Sequence, residues 1–415
     1  EGDIVGGSAL AAFKSRPFVL VWGGTFLSNI GTWMQNIGLG VLGYKLTHSA
    51  AFVGLLGFAQ LGPLLILALP GGALADSLDR RKLLIWMQTE QLIFSIALAF
   101  VVVAPRPNKT LLLAMVLAVG LGNALSGPAL AALLPTLVPR RDLPGAVSLQ
   151  SVQMNLSRVI GPALGGLLLP WLHFDGLFAI NAATYLFAVA GLVAARIDRR
   201  PAGERPERGQ RRGWSTLVGG FAVARHDPLV RVSLRTITII SFFSLPFIGL
   251  MPVIAEQNLN IDSKSIEYGF LYAAFGLGAA VGAVLVGTVL VRVPRPPMVR
   301  LFLASFAVML AVFALLRIST LAYPVAFLVG LGYFGAVTAL STTLQEHLDD
   351  QVRGRVMALW IMGFGGTVPL GLLAGGAVAN RTSVTDVVLA GAAITAILAL
   401  TTRVRVPVRE PAAAR

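Results

Sequence analysis

Stretches of about 20 or more mostly apolar residues recur along almost the whole chain, separated by short charged or Pro/Gly connectors, and this recurrence limits what the chain can fold into. A helix crossing the ~30 Å hydrocarbon core needs about 20 such residues. Of 415 residues, 56% are hydrophobic and only 13% charged, with a mean hydropathy of +0.78. A soluble domain of this length does not hide that much apolar surface from water. Spans are expected near 18–44, 50–75, 83–103, 110–134, 147–171, 174–195, 229–255, 266–291, 297–317, 320–345, 356–379 and 383–402. The fold class is therefore an all-α membrane protein with twelve transmembrane helices. The polar lead 1–16 precedes an apolar run too long for a signal peptide's core, so that run reads as a retained first span.

The formal net charge of +14 could indicate nucleic acid, but the basic residues sit at helix ends and are not gathered on a face with stacking aromatics. Placed on alternate sides of the spans, Lys14, Arg16, Arg80, Arg81, Lys82, Arg140, Arg141, Arg292, Arg295, Arg353 and Arg355 share one side with the arginines of the segment 196–228. The opposite side keeps Lys45, Arg106, Lys109, Lys264, Arg317 and Arg381. This asymmetry predicts that both termini are cytoplasmic. Residues 1–16 then form a cytoplasmic lead, 17–195 a first six-helix bundle, 196–228 an Arg-rich cytoplasmic linker, 229–403 a second bundle and 404–415 a tail.

The halves repeat weakly. Pro17, Val19, Val21 and Thr25 align with Pro228, Val230, Val232 and Thr236, and Asp142 and Pro162 with Asp349 and Pro369. Two pseudo-symmetric bundles follow, with a solute path between them near mid-membrane.

The run Gly72-Ala73-Leu74-Ala75-Asp76-Ser77-Leu78-Asp79-Arg80-Arg81-Lys82, between the second and third spans, resembles the signature loop of the major facilitator superfamily. Its Asp-Arg-Arg ending is similar to the efflux branch that includes enterobactin exporters and macrolide efflux proteins. Ser77 and Asp79 depart from the pattern, which has a basic residue and a glycine there. Gly72 lets helices approach closely. Asp76, at the end of its helix, is disfavoured by the helix dipole and needs a positive partner. The resemblance implies that Asp76, Arg80 and Arg81 latch the bundles together when the cavity faces outward. Gly161-Pro162-Ala163-Leu164-Gly165-Gly166 in the fifth span resembles the antiporter motif of exporters in the same superfamily. Its small residues open a flat packing face, and its proline removes one backbone hydrogen bond. The arginine that the family carries in its fourth span has no counterpart between Leu117 and Ala132.

Ionisable groups inside spans are costly and hence candidates for function; two stand out, Glu90 and Arg158. Arg158 lies near mid-bilayer on a stripe with Ser151, Asn155 and Pro162 that is expected to face the cavity, holding a substrate anion or pairing with a titrating carboxylate; a structural ion pair is the alternative. Glu90 either binds Arg80 or Arg81 or, desolvated by Trp86 and Phe94, acts as a proton site. The polar stripe of Thr25, Asn29, Thr32 and Asn36, with Trp33 and Gln35 beside it and Gln60 in the second span, suits an amphipathic substrate or interhelical hydrogen bonding. Phe242, Phe243 and Phe247 would give the other half of the cavity a greasier wall.

The four histidines, His48, His173, His226 and His347, show no metal-ligand spacing, and no phosphate-cradling loop is present. Neither an enzyme nor an ATP-driven pump is indicated, and no cofactor or metal is called for. The expectation is a monomeric, multi-pass protein of a bacterial cell membrane, surrounded by lipid. It exports small amphipathic molecules (drugs, siderophores or similar metabolites) by alternating access, in exchange for protons and without nucleic acid. A lipid or lysophospholipid flippase of the same fold and a transport-inactive membrane receptor are the competing readings.

Overall fold

The computed structural model describes residues 9–67, 78–195 and 214–402. Gly72, Asp76 and the first part of the linker lie outside the described residues. The helices are α1 (Arg16–Thr47), α2 (Ala50–Leu67), α3 (Arg80–Val103), α4 (Lys109–Leu133), α5 (143–172) and α6 (174–194). A shorter helix, α7 (Trp214–His226), precedes α8 (Pro228–Phe243), α9 (Ile266–Gly287), α10 (Arg295–Leu315), α11 (Ser319–His347), α12 (350–379) and α13 (Val384–Thr401). Among the described residues there is no strand. Ten segments of the described residues are long and apolar enough to cross a membrane. One of them, Arg140–Ala194, holds two crossings, because His173 with φ 55° and ψ −171° breaks the helix between α5 and α6. The 32-residue α1 completes twelve, its polar residues keeping it outside those ten. The chain is a multi-pass membrane protein of two six-helix bundles, α1–α6 and α8–α13.

Side-chain caps set many of the helix starts. Asp79, Asn108 and Asp227 each accept hydrogen bonds from two backbone N–H groups of the following turn, satisfying donors that have no partner within the helix. The pseudo-symmetry extends to individual contacts. Arg81 donates to the carbonyls of Leu192 and Val193 at the end of α6, and Arg300 to those of Ala399 and Leu400 at the end of α13. Likewise Ser15, just before α1, donates to the Leu137 carbonyl, while Asp227, just before α8, meets His347 at the end of α11 at 2.6 Å.

Two segments differ from the sequence expectation. The second part of the linker is helical: α7 packs on α12, its Gly219 and Gly220 lying against Arg355 and Leu359. The span expected at 229–255 is broken after Phe243 and continues as two short helices, Pro246–Gly249 and Met251–Gln257, because Pro246 and Pro252 cannot continue the hydrogen-bond ladder.

An even number of crossings brings the two ends of the chain to one side, here the terminal side; the other is the far side. One apolar cluster runs without interruption from the far half of the first bundle (Met34, Leu56, Leu112, Phe178) into the second (Ile240, Phe275, Leu310). The terminal half of the first bundle forms a separate cluster around Phe18, Leu84, Leu130 and Leu192. Among the described residues the two bundles thus share an apolar core on the far side only.

Candidate functional site at the bundle interface

Helix α1 presents two polar faces. Thr25, Ser28, Thr32 and Gln35 are buried inside the first bundle: Gln153 donates to Thr25 at 2.9 Å, Ser28 to Gln88 at 3.1 Å, and Gln35 accepts from Ser95 at 3.1 Å and Asn181 at 2.8 Å. Thr32 shares a hydrogen bond of 2.8 Å with the Tyr185 hydroxyl, so it ties α1 to α6 and does not stand on the cavity wall. Asn29, Trp33, Asn36 and Gly40 lie along the second face, all partly buried. A Cβ on Gly40 would lie 3.5 Å from Pro252 of the second bundle, which directs this face toward the bundle interface. Thr25 and Thr32 therefore do not share a face with Asn29 and Asn36, contrary to the single stripe expected from their spacing.

The glycine motif of α5 packs on that helix and across the interface. Gly161 meets Trp33 and the Ile30 carbonyl, Gly165 meets the Met34 backbone, and Gly166 lies against Gly269 of α9. Pro162 is buried within the helix. On the other edge Gly54 of α2 lies against Leu372 and Gly376 of α12. Polar contacts accompany these on the far side. Lys45 Nζ lies 2.7 Å from Glu256 and 2.9 Å from Asp262, Gln257 donates to the Tyr44 hydroxyl at 3.1 Å, and Ser49 donates to Asn380 at 2.9 Å. Lys264 stands 4.6 Å above the Phe174 ring. The Lys264 backbone N–H, and after it Lys45, hold the Asp262 carboxyl below the usual carboxylate range.

Arg158 occupies the middle of α5, about 22 Å from either end at 1.5 Å per residue. Its guanidinium carbon lies 5.7 Å from the Trp33 ring centre and 5.6 Å from that of Phe364, so aromatic rings from both bundles converge on it. Phe364 belongs to the π-helical turn Met362–Gly366 that interrupts α12. Nothing in the sequence pattern pointed to this phenylalanine. Asn155, one turn away, is exposed and donates to the Ser151 carbonyl at 2.9 Å.

Glu90 lies elsewhere, between α3 and α4. Its carboxylate fills the space a Cβ on Gly122 would take, and its Oε2 is buried without a hydrogen-bond partner. Trp86, 72% exposed, does not cover it; α4 does. Arg80 donates to the Ala132 carbonyl and Arg81 to those of Leu192 and Val193, and these three bonds lie within the first bundle. Gln60 is buried, with neither amide atom partnered. In the second bundle Phe242 and Phe243 form an edge-on pair at 4.8 Å, and Phe243 is 44% exposed. Phe247 is placed differently from the sequence expectation: 2% exposed, it packs on Phe275 and Phe313 inside the second bundle. Among the described residues no cluster of metal-ligating side chains occurs.

Two six-helix bundles meeting around a mid-membrane polar interface define a transporter of the major facilitator type. The structure resembles a bacterial homologue of the human lysosomal transporter Spinster (TM-score 0.69, 17% identity, 95% of this chain and 98% of that one). It is also similar to the nucleoside transporter NupG (TM-score 0.68, 14% identity, 92% and 97% covered). In sequence it is similar to the Enterobactin exporter EntS of Shigella boydii serotype 4 (strain Sb227), 29% identical over 85% of this chain and 82% of the relative. The Enterobactin exporter EntS of Escherichia coli O139:H28 (strain E24377A / ETEC) is 28% identical over the same shares. Residues 7–415 match the family model described as transmembrane secretion effector, and the chain belongs to that family of the major facilitator superfamily.

Proposed function

We propose that the chain is a secondary active transporter that exports small amphipathic molecules by alternating access, in exchange for protons. The observation that supports this reading best is one-sided closure. The bundles join through glycine contacts and the Lys45 bridge on the far side, while their apolar cores are separate on the terminal side. The excess of basic residues assigns the terminal side to the cytoplasm, so this is the inward-facing state, poised to load substrate from the cell. The relatives named as enterobactin exporters support the direction. Glu90 is the proposed proton site: a carboxylate held inside the first bundle with one oxygen unpartnered carries an uncompensated charge that an arriving proton removes. Arg158 with Trp33 and Asn155 is the proposed contact for substrate.

Substrate uptake into everted vesicles tests both assignments. Glu90→Gln is expected to remove the pH dependence of uptake, and Arg158→Ala to lower uptake at least tenfold. Unchanged uptake and unchanged pH dependence in both variants overturns the assignment. The flippase reading loses support, because Phe247 is enclosed in the second bundle and cannot line a lateral opening with Phe242 and Phe243.

A further inference from the structure

The guanidinium of Arg158 has no hydrogen bond and no ion pair among the described residues, although it stands at mid-span, where an unmet charge is costly. The two rings beside it, Trp33 at 5.7 Å and Phe364 at 5.6 Å, attract a cation through their faces. They offer nothing to the five N–H donors along its edge, which demand in-plane acceptors. Among the described residues no carboxylate answers that demand, and Glu90 lies against Gly122 on another helix of the first bundle.

Independent observations mark the same place. The Tyr333 hydroxyl, within electrostatic reach of Arg158, is fully buried beside the Ser241 hydroxyl, and apart from each other neither has a hydrogen-bond partner among the described residues. Phe364 sits in a π-helical turn, a departure from α geometry that recurs at functional sites. A Cβ on its neighbour Gly365 would meet nothing within 4 Å, so the turn borders open space.

We infer that this position is an anion site for planar aromatic oxyanions, such as aryl carboxylates, whose oxygens take the edge of the Arg158 guanidinium while Trp33 and Phe364 stack on the flat body. The inference rests on the export reading of the same site and adds the substrate's chemical class to it. A carboxylate matches the guanidinium fork with two parallel hydrogen bonds. A neutral isostere supplies one acceptor and leaves donors unmet, and a cation is repelled. Because Trp33 and Phe364 come from opposite bundles, a ligand between them reports to both halves at once.

Equilibrium binding of radiolabelled 1-naphthoate to the purified full chain in lipid nanodiscs tests this, with 1-naphthamide and 1-naphthylmethylammonium as competitors of nearly the same shape. Saturable naphthoate binding is expected, the amide competing at least tenfold more weakly and the ammonium not at all. Arg158→Gln is expected to lose at least tenfold in naphthoate affinity, and Arg158→Lys less, since it keeps the charge but not the fork. Phe364→Leu should weaken naphthoate and naphthamide alike by several-fold. Absence of saturable naphthoate binding, equal competition by the amide, or undiminished binding by Arg158→Gln overturns the inference. The amide comparison uses unmodified protein and needs no variant to fold. Binding does not depend on transport direction. Carboxylate selectivity without export in vesicles therefore overturns the export reading and supports the site, and export without carboxylate selectivity overturns the site alone.

Discussion

Lys45 Nζ at the far end of α1 lies 2.7 Å from the carboxylate of Glu256 in the second bundle, and so bridges two helices from opposite halves of the chain. The lysine side chain is 27% exposed and Asp262, the second partner, 60%. Pairs this open to water contribute about 0–1 kcal/mol. Too weak to hold the bundles by itself, the bridge decorates a closure made by backbone contact at Gly166–Gly269 and Gly54–Gly376.

The Gly166→Ala variant should therefore open the far side more than loss of the bridge does. Its methyl group would meet the Gly269 backbone, which cannot rotate away, and overpacking of this kind costs about 1–3 kcal/mol. That corresponds to a roughly 5- to 150-fold shift between two states. Labelling of a cysteine at Asn36 by an impermeant thiol reagent added from outside should accelerate at least fivefold in Gly166→Ala, and less than fivefold in Lys45→Gln. Equal acceleration in both would contradict the ranking.

The Asp262 arm of the bridge should not respond to mild acid. Its carboxyl is held below the usual range, so its contribution is present above the unfolded value of about 3.9 and is lost only as pH falls through the lower folded value. From about pH 8 to about pH 5, far-side labelling in Lys45→Gln relative to unmodified Lys45, corrected against an exposed control cysteine, should keep a constant ratio. A ratio that converges across that window would show that the carboxylate titrates there.

Arg81 and Arg300 play equivalent structural roles in the two bundles, each closing the last carbonyls of its bundle's final helix. Positive charge at a helix C-terminus is favourable, and these bonds are partly exposed, so removing either side chain should cost about 1–2 kcal/mol. Thermal unfolding of Arg81→Ala, Arg300→Ala and the double variant should show similar single losses that add to within about 0.5 kcal/mol, since the sites share no partner. A negligible loss in Arg300→Ala would break the equivalence.

The apolar runs announced the twelve crossings because membrane spans obey a length rule that needs no tertiary context, and the signature loop and glycine motif carried the family. What stayed hidden depends on which way a side chain turns. Thr32 and Trp33 are adjacent, yet one bonds to Tyr185 inside the bundle and the other meets Arg158 at the interface; a stripe read at helical spacing merges faces that differ by about 100° per residue. Phe247 follows a break in α8 made by Pro246, so its direction does not continue that of Phe242 and Phe243. Phe364 and Lys45 depend on contacts between the bundles, which no local pattern encodes. Gly72 and Asp76 lie outside the described residues, and their proposed latch rests on the resemblance.

The claim that the two bundles part on the far side during each cycle can be tested most directly by preventing them from parting. The chain contains no cysteine, so Ser49→Cys and Asn380→Cys, which replace side chains 2.9 Å apart across the interface, provide a pair without background. Joining them with a short, reducible bifunctional thiol reagent should abolish substrate uptake into everted vesicles, and reduction should restore it. Uptake by the cross-linked protein at the rate of the reduced form would contradict alternating access between these bundles.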